Sequence, residues 1–372
     1  MHIGLGLYRS ALNERNFRFA RQAGASHIVA HWVDYFGGAQ HEISRGSADG
    51  WGRAGAAEPW REDELRGLVQ ALRGHGLALA AIENFDPAQW HDILLDGPRK
   101  NEQIEVVKQT LRAAGRAGVP TIGYNFSIAG VWGWTRGPFA RGGAMSVAFD
   151  AAAIDLDEPI PDGMVWNMRY RAQRSDGVVA AVSSEELWQR LRWFLERVLP
   201  VAEECGVHLA LHPDDPPMDS LRGTARLVNR PEKYARLLEI SNSPANRIEL
   251  CLGSVQEMAG GGLDTYQLLE QCLREDRIGY IHFRNVKGKV PKYAEVFVDE
   301  GDIDMARIVA ILHAHRWPGV IIPDHTPALE CDASWHAGMA YALGYMRALV
   351  QLAEQGRLQP ALQPLEAAAE AS

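Results

Sequence analysis

The stretch LPVAEECGVHLALH, residues 199–212, shows the unit from which this chain is built. An amphipathic helix ends here, a glycine follows at Gly206, and a short apolar strand then ends in a polar residue. Glycine is typical of this place because the chain often leaves a helix in a left-handed conformation. Gly24, Gly76 and Gly118 stand at equivalent joints. Strands that alternate with helices in this way indicate βαβ units and a parallel sheet.

Eight such units follow one another along the chain. The predicted strands are 3–7, 26–31, 77–82, 120–125, 207–212, 247–252, 278–283 and 319–324. The predicted helices are 12–24, 61–75, 99–118, 184–205, 231–240, 264–275, 302–316 and 334–355. Eight units predict an α/β fold, a (β/α)8 TIM barrel that forms one domain over 1–357, followed by a flexible tail at 358–372. A doubly wound open sheet is the alternative, but no Gly-rich phosphate-binding sequence follows the first strand.

Two long loops interrupt the repeat. Residues 32–60 follow the second predicted strand, and residues 126–183 follow the fourth. Loops of this length inside a compact domain usually serve as lids or binding loops. Because the carboxyl ends of barrel strands share one face, both loops are expected there, with 126–183 as a lid-like insertion.

Composition and charge narrow the classes of function. The 372-residue chain has a net charge of −9 and no basic block, which argues against a nucleic-acid or anionic-membrane partner. The N-terminus lacks the pattern of a secretory signal, and no apolar run approaches the ~20 residues of a membrane span. Four cysteines in a chain of this length do not suggest a disulfide framework. We therefore expect a cytoplasmic protein. We also expect it to be a homo-oligomer, although composition does not show this.

Four successive predicted strands carry metal-ligand residue types at or near their carboxyl ends. These are His212, Cys251, His282 and Asp324, spaced 39, 31 and 42 residues apart, about one βα unit each. Each has an ordinary structural explanation alone, but a barrel brings such positions to one mouth. Two imidazoles, a thiolate and a carboxylate suit Zn²⁺ or Fe²⁺ by softness, whereas Mn²⁺ prefers oxygen-rich sites. The pattern predicts a divalent-metal site at the mouth.

Other polar residues stand near the same strand ends. Arg284 can hold a carboxylate with two parallel hydrogen bonds, or it can pair with Asp214 or Glu295. His325 can carry a proton or orient a metal ligand. The remaining candidates at these strand ends and just beyond them are His31, Glu83, Asn84, Asn125, Asp215 and Lys287.

The segment from Trp188 to Asp324 resembles the mannonate dehydratase family, which belongs to the xylose-isomerase-like barrels. The matching pieces are LPVAEECGVHLALHPDDPP (199–217), CLGS (251–254), IHFRNVKG (281–288), DEGDIDM (299–305), PDH (323–325), GYNF (123–126) and WTR (134–136). The resemblance implies a hydro-lyase of hexuronate catabolism that converts D-mannonate, or a related sugar acid, to a 2-keto-3-deoxy sugar acid. It also implies a divalent cation, usually Mn²⁺ and otherwise Mg²⁺, Fe²⁺ or Zn²⁺, held by the four ligands named above.

The resemblance also suggests roles for individual residues. His325 is the main candidate for proton transfer, and Tyr341 is a second one. Arg284 would hold the substrate carboxylate, while the remaining contacts to substrate would come from Asn125, Asp214 and Lys287.

The sequence departs from the family pattern around these positions. The family usually has Gly and then His or Arg after the histidine that corresponds to His325, whereas Thr326 and Pro327 follow here. The family's Phe-His-Glu reads Tyr293-Ala294-Glu295, and Tyr341 is one position away from the family's tyrosine. Two other functions therefore stay open: a sugar isomerase or epimerase on the same barrel, and a catalytically silent relative that binds a metal and a ligand only.

Overall fold

The computed structural model describes residues 1–35, 51–172, 176–260 and 262–358. The predicted tail beyond residue 358 and residues 36–50 of the first long loop lie outside the described residues.

Eight parallel strands form a closed barrel, as predicted. They are β1 His2–Leu7, β2 His27–His31, β3 Ala78–Glu83, β4 Thr121–Tyr124, β5 His208–Leu211, β6 Asn246–Cys251, β7 Ile278–His282 and β8 Val320–Ile322. Each strand pairs with its neighbours in chain order, and β8 closes the barrel by pairing in parallel with β1. All eight predicted strands are confirmed, and the carboxyl ends of the strands share one mouth.

A helix follows each strand and packs outside the barrel. The eight helices are Glu14–Gln22, Glu62–Gly74, Lys100–Ala117, Ser184–Cys205, Lys233–Glu239, Thr265–Arg274, Met305–Ala314 and Ser334–Glu354. Two further helices, Pro87–Leu95 and Leu252–Glu257, were not predicted. They lie in the connections between a strand and the following helix. Each is too short for the helical spacing of apolar residues to be recognised in the sequence.

The helix before β5 illustrates how local sequence sets the element boundaries. Ser183 and Glu186 form a reciprocal capping box at its start, which satisfies two backbone N–H groups. Gly206 ends it in the left-handed conformation, with φ 65°. The three other glycines expected at such joints also have positive φ. The four glycines singled out in the sequence therefore mark the ends of helices in the structure.

Small side chains allow the barrel interior to close. Val29, Ala81, Ala210, Tyr280, Val320 and Ile322 form a buried cluster there. A Cβ atom at Gly4 would lie 2.8 Å from Val320 Cγ1, which is closer than real Cβ contacts. Glycine at this place lets β1 and β8 pack closely.

The two long loops contain β-strands that the sequence analysis did not predict. Trp134–Ala140 and Ala144–Asp150 form an antiparallel hairpin, and a second hairpin, Asn285–Lys289 with Lys292–Val296, joins it in a four-stranded sheet. The short strand Gly52–Arg53 pairs with Met168–Arg169. Pairing between segments distant in sequence has no local signal, and this explains why the sheets were missed.

Within the described residues, none of the helices has both the length and the apolar character needed to cross a membrane.

Packing between two outer helices leads to a stability prediction. A Cβ atom at Gly115 would lie 2.6 Å from the carbonyl oxygen of Cys205, whereas one at Gly67 has nothing within 4 Å. Gly115→Ala should destabilise the fold by about 1–3 kcal/mol through overpacking. Gly67→Ala, also in a helix, should stabilise it by about 0.5–1 kcal/mol. Thermal unfolding of the two variants measures the difference, and equal melting temperatures would contradict this account.

Candidate active site

A pocket opens at the carboxyl ends of the barrel strands. Residues from several strand ends line it, and they include Glu83, Asn125, His212, His282 and Asp324. Its other wall is aromatic, formed by Tyr8, Tyr35, Trp51, Trp134 and Trp166. A concave site with a few polar groups at this face is where barrel enzymes bind their substrates.

Three of the four predicted metal ligands meet in this pocket. His212 follows β5, while Cys251 and His282 are the last residues of β6 and β7, and one ligand atom from each lies within 4.8 Å of the others. The fourth, Asp324, follows β8, and its Oδ2 lies 3.3 Å from Nδ1 of His282. We call these four residues the mouth site. The structure brings them together, and their role as ligands stays a prediction.

The chemistry of the mouth site fits a divalent cation. Burial opposes ionisation of the Cys251 thiol, but Arg284, His212 and His282 hold its pKa well below the usual value. A thiolate is the form that binds metal. Burial also opposes protonation of His212, yet Glu249 and Cys251 raise its pKa to about 9. The negative potential that attracts protons here would equally attract a metal ion, which competes with protons for such ligands.

Two further details favour metal binding. Nδ1 of His212 lies 2.6 Å from the backbone oxygen of Pro213, a contact that fixes the ring and leaves Nε2 for a ligand. His282 is buried, and neither of its ring nitrogens makes a hydrogen bond to any described residue. The groups nearest to these nitrogens are carboxylates, with Asp324 beside Nδ1 and Glu249 and Glu83 beside Nε2, so the ring lies in a negative environment that suits a cation.

Arg284 is placed beneath the pocket and not in its wall. It is 2% exposed, and its two Nη atoms contact three carboxylates: Asp215 at 2.6 Å, Glu257 at 2.9 Å and Glu295 at 2.6 Å. Its Nε lies 3.2 Å from a fourth carboxylate, Asp324 of the mouth site. Its Nη2 also donates to Cys251 Sγ at 3.3 Å. The pairing with Glu295, left open in the sequence, is therefore present. Its Nη atoms are therefore directed at protein groups, and its role as a clamp for the substrate carboxylate stays a prediction.

Three other candidate residues also lie outside the pocket lining. Asp214 is buried, and its Oδ2 accepts backbone hydrogen bonds from Leu227 and Val228. Its neighbour Asp215 lines the pocket instead. The two aspartates lie in the loop after β5, where neighbouring side chains face different groups.

Lys287 and Tyr341 point away from the pocket for a different reason. Lys287 lies in the hairpin that leaves the barrel after β7, where its Nζ contacts Glu300 at 2.9 Å. Tyr341 is 38% exposed on the last helix, and its hydroxyl accepts a hydrogen bond from Arg141. Neither residue lines the pocket described here.

His325 lies in the pocket wall beside the mouth site. Its Nδ1 is 3.2 Å from Glu295 Oε1, and its Nε2 is 3.5 Å from Asp324 Oδ1. Burial lowers its pKa, but Asp324 and Glu295 outweigh this and raise the pKa to about 9. The Trp134 ring packs edge-on against it at 5.6 Å between centroids. His325 therefore faces the pocket as an oriented imidazole with acidic neighbours.

Hydrogen bonds connect the insertion at residues 126–183 to Asp215 in the pocket lining. Trp134 Nε1 donates to the Tyr293 hydroxyl at 3.0 Å, and that hydroxyl donates to Asp215 Oδ1 at 2.7 Å. Tyr293 stands where the family usually has phenylalanine, so this link depends on the departure noted in the sequence. It fixes Trp134 against the pocket.

Asn125 is the one residue predicted to contact substrate hydroxyls that lines the pocket. Its Nδ2 donates to Asn84 Oδ1 at 2.9 Å, and Asn84 in turn donates to the Tyr35 hydroxyl at 2.9 Å. These amides present polar atoms next to the aromatic wall.

A second acidic group, which the sequence reasoning missed, lies next to His282. Glu249 is fully buried, and its Oε1 is 3.0 Å from Nε2 of His282, while Glu83 Oε2 is 3.4 Å from the same nitrogen. Glu249 precedes Cys251 by two residues in β6, and strand periodicity puts both on the inner face. That spacing was the available signal. We call Glu83, Glu249 and His282 the inner cluster.

Comparison with known proteins places the chain in a family. The model of the D-mannonate dehydratase (UxuA) family matches residues 21–359, most of the chain. This chain belongs to the mannonate dehydratase family. A mannonate dehydratase of Streptococcus pneumoniae (strain 70585) is 32% identical over 307 residues, which cover 78% of this chain and 80% of that protein. Mannonate dehydratase 2 of Halalkalibacterium halodurans is 30% identical over 278 residues, covering 72% and 79%.

Solved structures agree with this placement. The crystal structure of mannonate dehydratase from Streptococcus suis serotype 2 matches with a TM-score of 0.76 at 25% identity, covering 100% of this chain and 99% of that one. An L-ribulose 3-epimerase matches with a TM-score of 0.55 at 14% identity, covering 95% and 96%. The second likeness shows the barrel fold alone. Family membership therefore favours the dehydratase over the isomerase or epimerase alternative.

Proposed function

We propose that this mannonate dehydratase family member is a metal-dependent hydro-lyase that converts D-mannonate to 2-keto-3-deoxygluconate, with Mn²⁺ as its metal. The observation that carries the proposal is the meeting of His212, Cys251 and His282, next to Asp324 and His325, in one pocket. The two relatives described above, which are 32% and 30% identical to this chain, are named mannonate dehydratases.

The mouth site would hold the metal. A divalent cation bound there supplies electrostatic stabilisation of the negative charge that develops when the carbon beside a carboxylate loses its proton. His212 Nδ1 and the Arg284 contact to Cys251 keep two of the ligands oriented.

His325 would donate the proton that the departing hydroxyl needs. In the reaction, the proton on C2 is removed, the C3–O bond breaks, and the hydroxyl leaves as water after gaining a proton. The resulting enol becomes the 2-keto product. A histidine oriented by Glu295 and facing the pocket suits this transfer.

We further propose that residues 126–183 act as a lid. Trp134 from this insertion packs against His325 and is fixed by Tyr293. An aromatic wall of this kind excludes water from the reacting groups. Asn125 would contact hydroxyls of the sugar acid next to that wall.

The reaction is tested by incubating Mn²⁺-loaded protein with D-mannonate and related sugar acids and measuring 2-keto-3-deoxy product. Product from D-mannonate supports the proposal. Interconversion of an aldose and a ketose without keto-deoxy product would favour the isomerase. Reaction with neither class, despite binding of a sugar acid in calorimetry, would identify a silent relative.

Loss of a single mouth-site ligand gives a separate prediction. His212→Ala should lose one bound ion per chain and nearly all dehydratase activity, because the remaining ligands bind the cation more weakly. The barrel should remain folded, since its core is packed away from the mouth. Elemental analysis and circular dichroism measure both effects. Unchanged ion content in His212→Ala would remove His212 from the site.

A further inference from the structure

The inner cluster places two buried carboxylates around one histidine. Glu249 is 0% exposed, and neither of its carboxylate oxygens accepts a hydrogen bond within the described part of the chain, although Oε1 lies 3.0 Å from Nε2 of His282. Glu83 is also buried, and its Oε2 accepts a long hydrogen bond from the Tyr280 hydroxyl at 3.5 Å. Burying an uncompensated carboxylate costs several kcal/mol, so the charge of Glu249 needs either the His282 ring or a metal ion beside it.

His282 has two nitrogens that face two different groups. Nδ1 lies 3.3 Å from Asp324 of the mouth site, and Nε2 lies 3.0 Å from Glu249 and 3.4 Å from Glu83. Neither nitrogen makes a hydrogen bond to a described residue, although the side chain is 2% exposed. One metal at the mouth can use only one of these nitrogens.

The sequence leaves space for the Glu249 carboxylate. A Cβ atom at Gly123 of β4 would lie 2.5 Å from Glu249 Oε2 and 2.1 Å from the Tyr280 hydroxyl. An alanine at this place would displace both groups. Gly123 therefore allows an acidic group to be held inside the barrel, where aliphatic side chains usually fill the layer.

We propose that Glu83, Glu249 and Nε2 of His282 bind a second divalent cation one layer below the mouth site, with the His282 ring between the two ions. With a metal on each nitrogen the ring would be an imidazolate, and its N–H proton would be released to solvent when the second ion binds. This inference concerns ion binding and does not depend on which reaction the enzyme catalyses.

The distances support a cation between these groups. Metal–ligand bonds of about 2.1 Å place neighbouring ligand atoms about 3.0 Å apart in octahedral geometry and about 3.4 Å apart in tetrahedral geometry. The two separations measured from Nε2 of His282 are 3.0 and 3.4 Å. Two carboxylates and one imidazole suit Mn²⁺ or Zn²⁺, with water completing the coordination. Glu83 lines the pocket, which provides a path for entry.

The alternative is that a neutral His282 binds the mouth metal through Nδ1 and donates its Nε2–H to Glu249, without a second cation. That arrangement also brings Nε2 close to Glu83 and Glu249, but it leaves room for one metal only. Counting ions in wild-type protein separates the two explanations, because the alternative predicts one bound ion per chain, at the mouth site.

The test is the number of Mn²⁺ ions bound per chain after metal removal, reloading with excess Mn²⁺ and gel filtration. Wild-type protein should hold two ions by elemental analysis, and Glu249→Gln and His212→Ala should hold one each. Asp86→Asn is the matched control. Asp86 is a buried carboxylate whose oxygens accept backbone hydrogen bonds from Ala88 and Gly55, and this variant should keep two ions.

Electron paramagnetic resonance gives an independent readout. Two Mn²⁺ ions joined through His282 should give a spin-coupled spectrum in wild type, and Glu249→Gln should give the spectrum of an isolated ion. One ion per wild-type chain, or two ions retained in Glu249→Gln, overturns the inner site. If Glu249→Gln does not fold, Glu83→Gln and the wild-type count decide. Two bound ions without keto-deoxy product would refute the proposed reaction and leave the inner site standing.

Discussion

Arg284→Met should destabilise the protein by about 3–5 kcal/mol, the effect expected when one partner of a buried ion pair is removed. The Arg284 guanidinium contacts Asp215, Glu257 and Glu295, and all three carboxylates are at most 5% exposed. Methionine keeps much of the volume but leaves these carboxylates without their cation. The midpoint of denaturant unfolding measures the loss, and reduced yield of folded protein is a further expected sign.

Two variants test whether buried charge causes this loss. Arg274→Met removes an arginine from an exposed pair with Glu270, and it should leave the melting temperature unchanged because such pairs contribute little. Glu257→Gln, added to Arg284→Met, should recover part of the lost stability by removing one stranded carboxylate. If Arg284→Met instead folds normally and only raises KM, Arg284 binds substrate, as the sequence-based prediction of a carboxylate clamp has it.

The barrel and its mouth could be predicted because their signals are local. Each strand is a short apolar run, helix ends carry glycines such as Gly118 and Gly206, and parallel strands end at one face. From these facts alone, His212, Cys251 and His282 were expected to meet, and the structure brings them together.

Other parts of the site depend on packing that the sequence does not reveal. Whether Arg284 faces a substrate or three carboxylates depends on Glu257, which lies on a helix too short to be predicted. The position of Trp134 depends on a hairpin that pairs with residues about 150 positions away, as its bond to Tyr293 shows. The role of Glu249 could not be predicted, because the function of a single acidic residue in an apolar strand depends on which side chains surround it in the fold.

His325→Asn should lower turnover of D-mannonate by about 10²-fold or more, in line with the contribution of general acid–base groups. The imidazole faces the pocket between Glu295 and Asp324, and Trp134 packs against its ring. Asparagine can keep a polar contact to Glu295 but cannot donate a proton to the departing hydroxyl. We therefore expect kcat to fall while bound Mn²⁺ and KM change little, as measured by steady-state kinetics and elemental analysis.

A matched variant separates proton transfer from general damage. His336 lies on the last helix outside the pocket, with its Nε2 3.0 Å from Asn16 Oδ1, and His336→Asn should keep wild-type kcat. If His325→Asn loses metal together with activity, then His325 orients the Asp324 carboxylate, and its role is to position a ligand. If His325→Asn keeps wild-type kcat, another group donates the proton. A kcat loss with metal, KM and melting temperature retained is the result that a role of His325 in proton transfer explains and a role in positioning a ligand does not.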